Sequence, residues 1–537
     1  MATGGEVLVK LLAGYGVECI FGIPGVHTVE LYRGVAESGL RHVTPRHEQG
    51  AGFAADGYAR VSGKPGVCFI ITGPGMTNIA TAMAQAYADS VPMLVISSVN
   101  SRHQLGRGCG YLHELPSQQA LFAGVSAFSH TLMSVDALPE VLARAFAVFR
   151  SARPRPVHIE IPLDVIVASA DHLALAATPS PPPPAPSWAL AQRAAALLGE
   201  ARRPLILAGG GAVGAAAELQ ALAEALRSPV QLTINAKGLL PADHPLLAGS
   251  IQSTQSGRLL AREADVVLAV GTELGETDYD TVFDGGFELP GQLIRVDIDA
   301  QQLGRNFKPQ LAMLADAGLA LASLRLALTG SAGEPTWGAA RAQAARDAAW
   351  GEFDPATRKL AALIDLVAHT LPGAIFMGDS TQTVYAGNLS FNADAPRRWF
   401  NASTGYGTLG YGLPAALGAQ LAAPGQPVVA LVGDGGLLFT VSELASAVEA
   451  QLPVIVLLWN NQGYGEIKKY MLRHGVAPIG VDLHTPDFIA IAQGFGCQAE
   501  RVADSAQLRR SLKAAAGRSV PTLIEIDETS WLARVAE

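Results

Sequence analysis

Charge is what this sequence has least of. Asp, Glu, Lys and Arg make up only 16% of its 537 residues, and an acidic excess leaves a formal net charge of −9. That composition does not suit a solvated or disordered chain, and the acidic balance argues against nucleic acid as the main partner. Cysteine is rare too: Cys19, Cys68, Cys109 and Cys497 show no metal-ligand spacing, so buried, reduced thiols are expected. No uninterrupted apolar run reaches bilayer-spanning length, and no basic segment followed by an apolar core opens the sequence. The expectation is a soluble, cytoplasmic protein that uses neither membrane nor nucleic acid.

What is abundant points to buried parallel sheets: hydrophobic residues reach 49%, with 57 glycines. The length suggests about three domains. Residues 177–187, ATPSPPPPAPS, cannot continue a helix or a central strand and should run extended over the surface. A second break falls at Thr329-Gly330-Ser331-Ala332-Gly333, ahead of an Ala-rich helical stretch from about Ala339 to Trp350. Three blocks result, 1–170, 190–328 and 350–537. The outer two share one plan. GVCFIITGPGMTNIATAMAQAYADSVPMLVISS and PVVALVGDGGLLFTVSELASAVEAQLPVIVLLWNN each read as strand, Gly turn, helix, Pro step and strand. A duplicated α/β unit follows, with doubly wound parallel sheets and ligands at the carboxyl ends of the strands.

The third block holds the segment around which the rest is organised, Val432-Gly433-Asp434-Gly435-Gly436, answered by Asn460-Asn461-Gln462-Gly463. Glycines at the end of a buried strand let backbone N–H groups approach a phosphate, whereas a carboxylate there needs a cation in between. Mg²⁺ wants hard oxygens in an octahedron, which Asp434, the amide oxygen of Asn461, a carbonyl near Gly463 and two diphosphate oxygens can supply. Asp434 and Asn461 are 27 residues apart, the length of one helix and one returning strand.

GDG followed by NN at this spacing resembles the signature of the thiamine diphosphate enzymes, and the resemblance extends over nearly the whole chain, most strongly at 46–60, 405–418 and 433–463. It implies three α/β domains: a pyrimidine-binding first domain, a Rossmann-like middle domain and a diphosphate-binding third domain. It also implies thiamine diphosphate and Mg²⁺ as cofactors, and a homodimer or homotetramer with active sites at the subunit interface. Gly433, Asp434, Gly435, Gly436 and Asn461 are then cofactor-binding, with Asp434, Asn461 and Gly463 at the metal.

The same resemblance assigns further residues. Arg46-His47-Glu48-Gln49-Gly50-Ala51 matches the segment whose glutamate protonates the cofactor's pyrimidine, so Glu48 is expected to be catalytic; a helix-capping carboxylate is the alternative. His113 and Glu114 lie in a loop where the family brings side chains into the active site, and histidine can relay protons near neutral pH. The alternative for this pair is a solvated histidine beside a glutamate that pairs with Arg102 or Arg107. Leu409 falls where a large apolar residue wedges the cofactor into its bent shape, and Gly407 where a carbonyl bonds its amino group. Thr381 and Gln382 are expected at the diphosphate, an ordinary helix start being the alternative. Substrate contacts are implied for Val26, in the GIPGVHTVELYR opening, for His113, and for Asp278 and Glu466. Asp278 lies in an acidic loop, GTELGETDYD, that could equally be solvated.

The middle block carries Gly209-Gly210-Gly211-Ala212-Val213-Gly214, a G-x-G-x-x-G match after an apolar strand. The next strand ends near Asn235 and offers no carboxylate for a ribose, so a tight strand-to-helix turn is expected there, and no motif calls for FAD. The function that follows is non-oxidative decarboxylation of a small-molecule 2-oxo acid. The opening segment, the LHELP loop and the acidic positions most resemble decarboxylases of 5-guanidino-2-oxopentanoate (2-ketoarginine), whose guanidinium suits an acidic pocket. That substrate would place the enzyme in arginine catabolism. An acetolactate synthase-type carboligase acting on pyruvate, a benzoylformate-type decarboxylase and a non-catalytic homologue are the alternatives.

Overall fold

The computed structural model describes residues 2–329, 333–334 and 336–534. Its strands form three six-stranded sheets. The first contains β1 (Cys19–Gly22), β2 (Arg41–Val43), β3 (Gly66–Ile70), β4 (Met93–Val99), β5 (Phe128–Thr131) and β6 (Val157–Pro162), in the order β2-β1-β3-β4-β6-β5. The middle sheet contains β7 (Pro204–Ala208), β8 (Val230–Leu232), β9 (Leu247–Gly249), β10 (Val266–Val270), β11 (Gln292–Asp297) and β12 (Leu311–Leu314), ordered β12-β11-β10-β7-β8-β9. The third contains β13 (Ile375–Gly378), β14 (Trp399–Asn401), β15 (Val428–Gly433), β16 (Ile455–Asn460), β17 (Gln498–Val502) and β18 (Thr522–Asp527), ordered β14-β13-β15-β16-β18-β17. The first and third orders are the same permutation of six strands, as the repeated sequence plan anticipated.

The pairings are parallel, as in β3–β4, β7–β10 and β15–β16. Such strands are buried on both faces, which is why they read as unbroken apolar runs. In the middle sheet Ile206, Leu268 and Ile294 enter one core while their neighbours Leu205, Val267 and Leu293 enter another, the period-2 alternation of a strand.

Two compact units result. One joins residues 1–182, 376–381 and 401–529, and so contains the first sheet and most of the third; the other comprises 183–375, 382–400 and 530–537. Within the first unit the helix Glu48–Ser62 packs closely on the helix Gly412–Ala422. A Cβ on Gly57 would lie 2.0 Å from Ala415 O, and one on Gly418 would lie 1.8 Å from Ala54 O. Only glycine allows backbones to approach so closely.

Several local expectations meet specific outcomes. The Pro-rich stretch has no regular structure and is fastened where Thr178 N–H donates to Tyr15 OH, 3.2 Å, and where Pro184 O accepts Asp316 N–H, 2.8 Å. Residues 330–332 of the second break lie outside the described residues, and the following helix spans Ala339–Glu352. Cys19, Cys68 and Cys497 are buried free thiols, but Cys109 is exposed, which corrects the expectation for that residue: it sits in the outward loop before Glu114. The helix expected after Asp434 is split into a single turn, Asp434–Leu437, and a later helix, Glu443–Glu449. The chain between them bends over Gly410, whose carbonyl accepts Thr440 Oγ1–H at 2.9 Å. The Gly209–Gly214 turn forms a short 3₁₀ turn, Gly210–Ala212, and the helix starts only at Ala216. A Cβ on Gly209 would meet Gly271 O at 2.3 Å, so this glycine serves the close approach of two adjacent strand ends. Among the described residues no helix is long and apolar enough to cross a membrane.

Candidate active site

The turns at the ends of β15 and β16 meet. Asp434 opens the single helical turn after β15 and is almost fully buried; Asn461 and Gly463 follow β16. The amide of Asn461 lies 3.0 Å from Asp434 Oδ1 and 2.7 Å from Gly463 O. Turned one way, its nitrogen donates to both. Turned the other, its oxygen completes a cluster of three. Six ligands at 2.1 Å in an octahedron put neighbouring oxygens about 3.0 Å apart, so the amide's separations from the carboxylate and from the carbonyl suit neighbouring positions of a Mg²⁺ shell. Burial raises the proton affinity of Asp434, and backbone N–H groups, Gly435's first, pull it back. Among the described residues no group of three or more His, Cys, Asp or Glu is placed to hold a metal ion.

Small residues make this turn possible. A Cβ on Gly435 would strike the Tyr464 ring at 2.6 Å, and one on Gly463, whose φ is +154°, would strike Val481 O at 2.2 Å. Thr381 Oγ1 would be 3.0 Å from a Cβ on Gly433, so the ends of β13 and β15 bring Thr381 to the glycine turn. Gln382 begins the next helix and is buried. Asp379, to which the sequence assigned no role, is buried and pushed up to about 6 by loss of solvent. It accepts N–H bonds from Ser380, 2.9 Å, and Gly410, 2.7 Å, and so ties the end of β13 to the 405–412 turn. That turn carries Gly407, at φ +75°, and half-buried Leu409. Its flanks are fastened from the first block: Gln85 Oε1 accepts Thr408 Oγ1–H, 3.0 Å, and Asp89 accepts Thr404 Oγ1–H, 2.9 Å.

A second set of expected residues surrounds the Thr72–Gly75 turn after β3. Glu48 is the first residue of its helix, yet the capping task belongs to His47, whose Nδ1 accepts Gln49 N–H at 3.1 Å. Glu48 Oε2 instead accepts a bond from Asn78 Nδ2, 2.9 Å. Its Oε1 lies 3.2 Å from where a Cβ of Gly75 would be. On the other side of the same turn a Cβ on Gly73 would meet His113 Cβ at 2.8 Å, so Glu48 and His113 flank one turn. Gln118 Oε1 steadies that turn by accepting Thr72 Oγ1–H and Gly73 N–H at 2.9 and 3.1 Å. Glu114 has both oxygens on its own loop, accepting N–H bonds from Gly108, Gly110 and Tyr111 at 2.8, 2.8 and 3.0 Å. Its observed task is to shape the loop that carries His113.

Sequence reading missed three residues here. Asn78 lies one turn into the helix Pro74–Ala88, and His27 lies beside His113 with ring centres 5.0 Å apart and planes tilted by 37°. Glu443, fully buried and pushed up to about 7 by desolvation, accepts N–H bonds from Arg46, 3.0 Å, and His47, 3.1 Å, just ahead of Glu48. The sequence carried no distinct signal for it, since Glu449 is a second acid in the same helix.

The remaining expected residues are Val26, Asp278 and Glu466. Val26 is 73% exposed. Asp278 Oδ1 accepts Ile234 N–H at 2.9 Å, beside buried Lys237, which desolvation lowers to about 7 against the pull of Asp278. Glu466 is exposed on the helix Gly465–Arg473, which buries none of its residues, and pairs with Lys469 at 2.8 Å.

Three descriptions of one family match in series: "Thiamine pyrophosphate enzyme, N-terminal TPP binding domain" over residues 2–121, its central domain over 191–324, and its C-terminal TPP binding domain over 379–526. The chain belongs to the thiamine pyrophosphate enzymes. Like other thiamine pyrophosphate enzymes it uses thiamine diphosphate with a divalent cation such as Mg²⁺. Among curated members of this family, a probable 2-ketoarginine decarboxylase, AruI, of Pseudomonas aeruginosa is 50% identical over 98% of this chain and 94% of its own length. A probable acetolactate synthase large subunit of Methanocaldococcus jannaschii is 32% identical over 97% of this chain and 91% of its own. The acetolactate synthase isozyme 1 large subunit of Escherichia coli K12 is 32% identical over 98% and 93%.

Proposed function

We propose that this thiamine pyrophosphate enzyme decarboxylates a 2-oxo acid with a cationic tail, 5-guanidino-2-oxopentanoate, to 4-guanidinobutanal and CO₂, as a step of arginine catabolism. The observation that carries the reading is half-identity along the full chain to a relative named for that reaction, against about a third to those named acetolactate synthases. Bound thiamine diphosphate supplies the electron sink that lets a 2-oxo acid lose CO₂. The residues divide the remaining work. Asp434, Asn461 and the Gly463 carbonyl hold the cation, and Thr381, Gln382 and the Gly433–Gly436 backbone receive the diphosphate. Glu48, oriented by Asn78, gives and takes a proton at the pyrimidine. Leu409 and the Gly407 carbonyl shape and anchor the cofactor, and His113, on the loop shaped by Glu114, handles protons at the substrate.

Asp278, Glu466 and Val26 are the proposed substrate side chains, the two carboxylates being suited to a guanidinium. Each is tested singly: Asp278→Asn or Glu466→Gln should raise KM for the guanidino substrate about 10-fold or more and leave an uncharged analogue unaffected. We further propose the blocks 1–170, 190–328 and 350–537 as the three domains, a homodimer or homotetramer with active sites between subunits, and a cytoplasmic location.

The deciding assay offers 5-guanidino-2-oxopentanoate, its uncharged chain-length analogue, benzoylformate and pyruvate to protein loaded with thiamine diphosphate and Mg²⁺. CO₂, aldehyde and acetolactate are measured in each. Preference for the guanidino acid with aldehyde as product is expected. Acetolactate from pyruvate as the main product would replace this reading with a carboligase.

A further inference from the structure

The Thr404–Tyr411 turn, which carries Gly407 and Leu409, is gripped by buried polar side chains that the proposed chemistry does not use. Asp56 and Arg60 lie one turn apart on the helix Glu48–Ser62, and Gln85 lies one turn before Asp89 at the end of the helix Pro74–Ala88. Arg60 joins the two pairs: its Nε donates to Asp56 Oδ1 and its Nη2 to Asp89 Oδ2, each at 2.6 Å. All four side chains are buried.

Three positions of the turn meet them. Thr404 Oγ1–H donates to Asp89 at 2.9 Å, and Tyr411 O–H donates to Asp56 Oδ1 at 2.6 Å. Between these, Thr408 directs both its N–H and its hydroxyl to Gln85 Oε1, at 3.4 and 3.0 Å. The backbone comes close as well, for a Cβ on Gly405 would lie 2.8 Å from Asp89 Oδ1. The carbonyl of Thr408 meets Ser380 Oγ–H at 3.5 Å, too long to hold it firmly.

The sense of the Gln85 amide is imposed. An ionised Asp89 carboxylate accepts and cannot donate, so the NH₂ group of Gln85 must face it, as it does at 2.7 Å. That leaves the amide oxygen towards Thr408, whose two donors both need an acceptor. Asp89 is itself held by the charge-assisted bond from Arg60. Each side chain is thus oriented by the one before it, from Arg60 through Asp89 and Gln85 to Thr408.

We propose that Gln85, oriented by Asp89 and Arg60, is a positioning residue for the cofactor's rings: its grip on Thr408 sets the Gly407 carbonyl on one side and the Leu409 side chain on the other. The inference rests on the contacts proposed for those two residues and not on the identity of the 2-oxo acid. Thr408 is the chain neighbour of both, so a shift of its backbone moves the carbonyl and the apolar wedge together. The diphosphate end is assigned to Thr381, Gln382 and the Gly433–Gly436 backbone, and it should not feel Gln85.

The test is a binding measurement on full-length protein in wild type, Gln85→Met, Thr408→Val, Thr408→Ser and the double variant Gln85→Met/Thr408→Val. Calorimetry at saturating Mg²⁺ compares thiamine diphosphate with inorganic diphosphate, which has the charged end and no rings. Gln85→Met and Thr408→Val are each expected to weaken thiamine diphosphate about 10-fold and to leave diphosphate within about 2-fold. Thr408→Ser keeps both donors and should stay within about 3-fold of wild type for either ligand. The double variant should be no more than about 3-fold weaker than the weaker single variant, because both remove one contact. Hydrogen exchange over residues 405–409 should speed up about 10-fold in Gln85→Met, with that of β15 unchanged.

Thiamine diphosphate and diphosphate weakened equally, or neither weakened, overturns the positioning role. So do losses that multiply in the double variant, and a Thr408→Ser protein as weak as Thr408→Val. A wild type that binds thiamine diphosphate no more tightly than diphosphate removes the ring contacts and the inference with them. A wild type that shows the expected binding but releases no CO₂ from any of the four acids removes the decarboxylation reading alone.

Discussion

Glu48 shows how a single side chain is left free of a capping task. Because His47 caps the helix, the Glu48 carboxylate owes the backbone nothing and can be replaced without unfolding its helix. Glu48→Gln is therefore expected to bind thiamine diphosphate and Mg²⁺ as wild type does by calorimetry, while kcat falls about 100-fold or more. An active Glu48→Gln enzyme would remove it as the activating acid. Asp434→Ala should do the reverse of this in binding: it removes the proposed carboxylate ligand of the cation, and the Mg²⁺ concentration needed for a cofactor-induced thermal shift should rise about 100-fold. Asp434 was legible as a candidate because glycines and a carboxylate at a strand end have few other uses, and Glu48 because its segment resembles the family's. His27 and Asn78 were not, since each becomes meaningful only when β1, β3 and the 108–114 loop bring it to the Thr72–Gly75 turn, and nothing in local spacing encodes that meeting.

At the scale of elements, the crossing of helices Glu48–Ser62 and Gly412–Ala422 makes a sharp prediction because propensity and packing oppose each other. Alanine favours a helix over glycine by about 1 kcal/mol. A methyl at residue 57, however, would lie 2.0 Å from Ala415 O, which is backbone and cannot swing aside. Gly57→Ala should lower unfolding stability by about 2 kcal/mol or more in denaturant titration. Stabilisation would mean that the helices do not cross this closely.

Glu443 adds a pH dependence. Its carboxyl is pushed from 4.5 up to about 7, so between those values the folded chain holds a proton that the unfolded chain has released. Stability from this group is thus full below about pH 4.5 and declines as pH rises to about 7, with a slope of about 1.4 kcal/mol per unit. Glu443→Gln should flatten that segment of a stability-against-pH curve. Strands, their parallel pairing and the repeated plan were readable from apolar runs and turn glycines. The break in the helix after Asp434 was not, because it lies where the chain meets Gly410, a contact distant in sequence.

For the whole molecule, the proposed placing of active sites between subunits predicts complementation. Glu48→Gln and Asp434→Ala should each be nearly inactive alone. In a hybrid dimer both lesions can fall in one site, leaving the other intact, so co-expression should restore up to about half the activity of the hybrid fraction. Failure of mixed preparations to regain activity, with hybrids demonstrated by mass spectrometry, would place both residues in the same subunit's site.

The two N–H groups ahead of Glu48 are received by a carboxylate 397 and 396 residues further along. At a synthesis rate of about 5–20 residues per second, roughly 20–80 s pass after residue 46 is made before its partner exists. During that interval the first block can build its sheet, but the entry to the helix Glu48–Ser62 stays unset. A ribosome-bound chain stalled before residue 443 should therefore show protected amides in β3 and β4 and unprotected ones at Arg46 and His47.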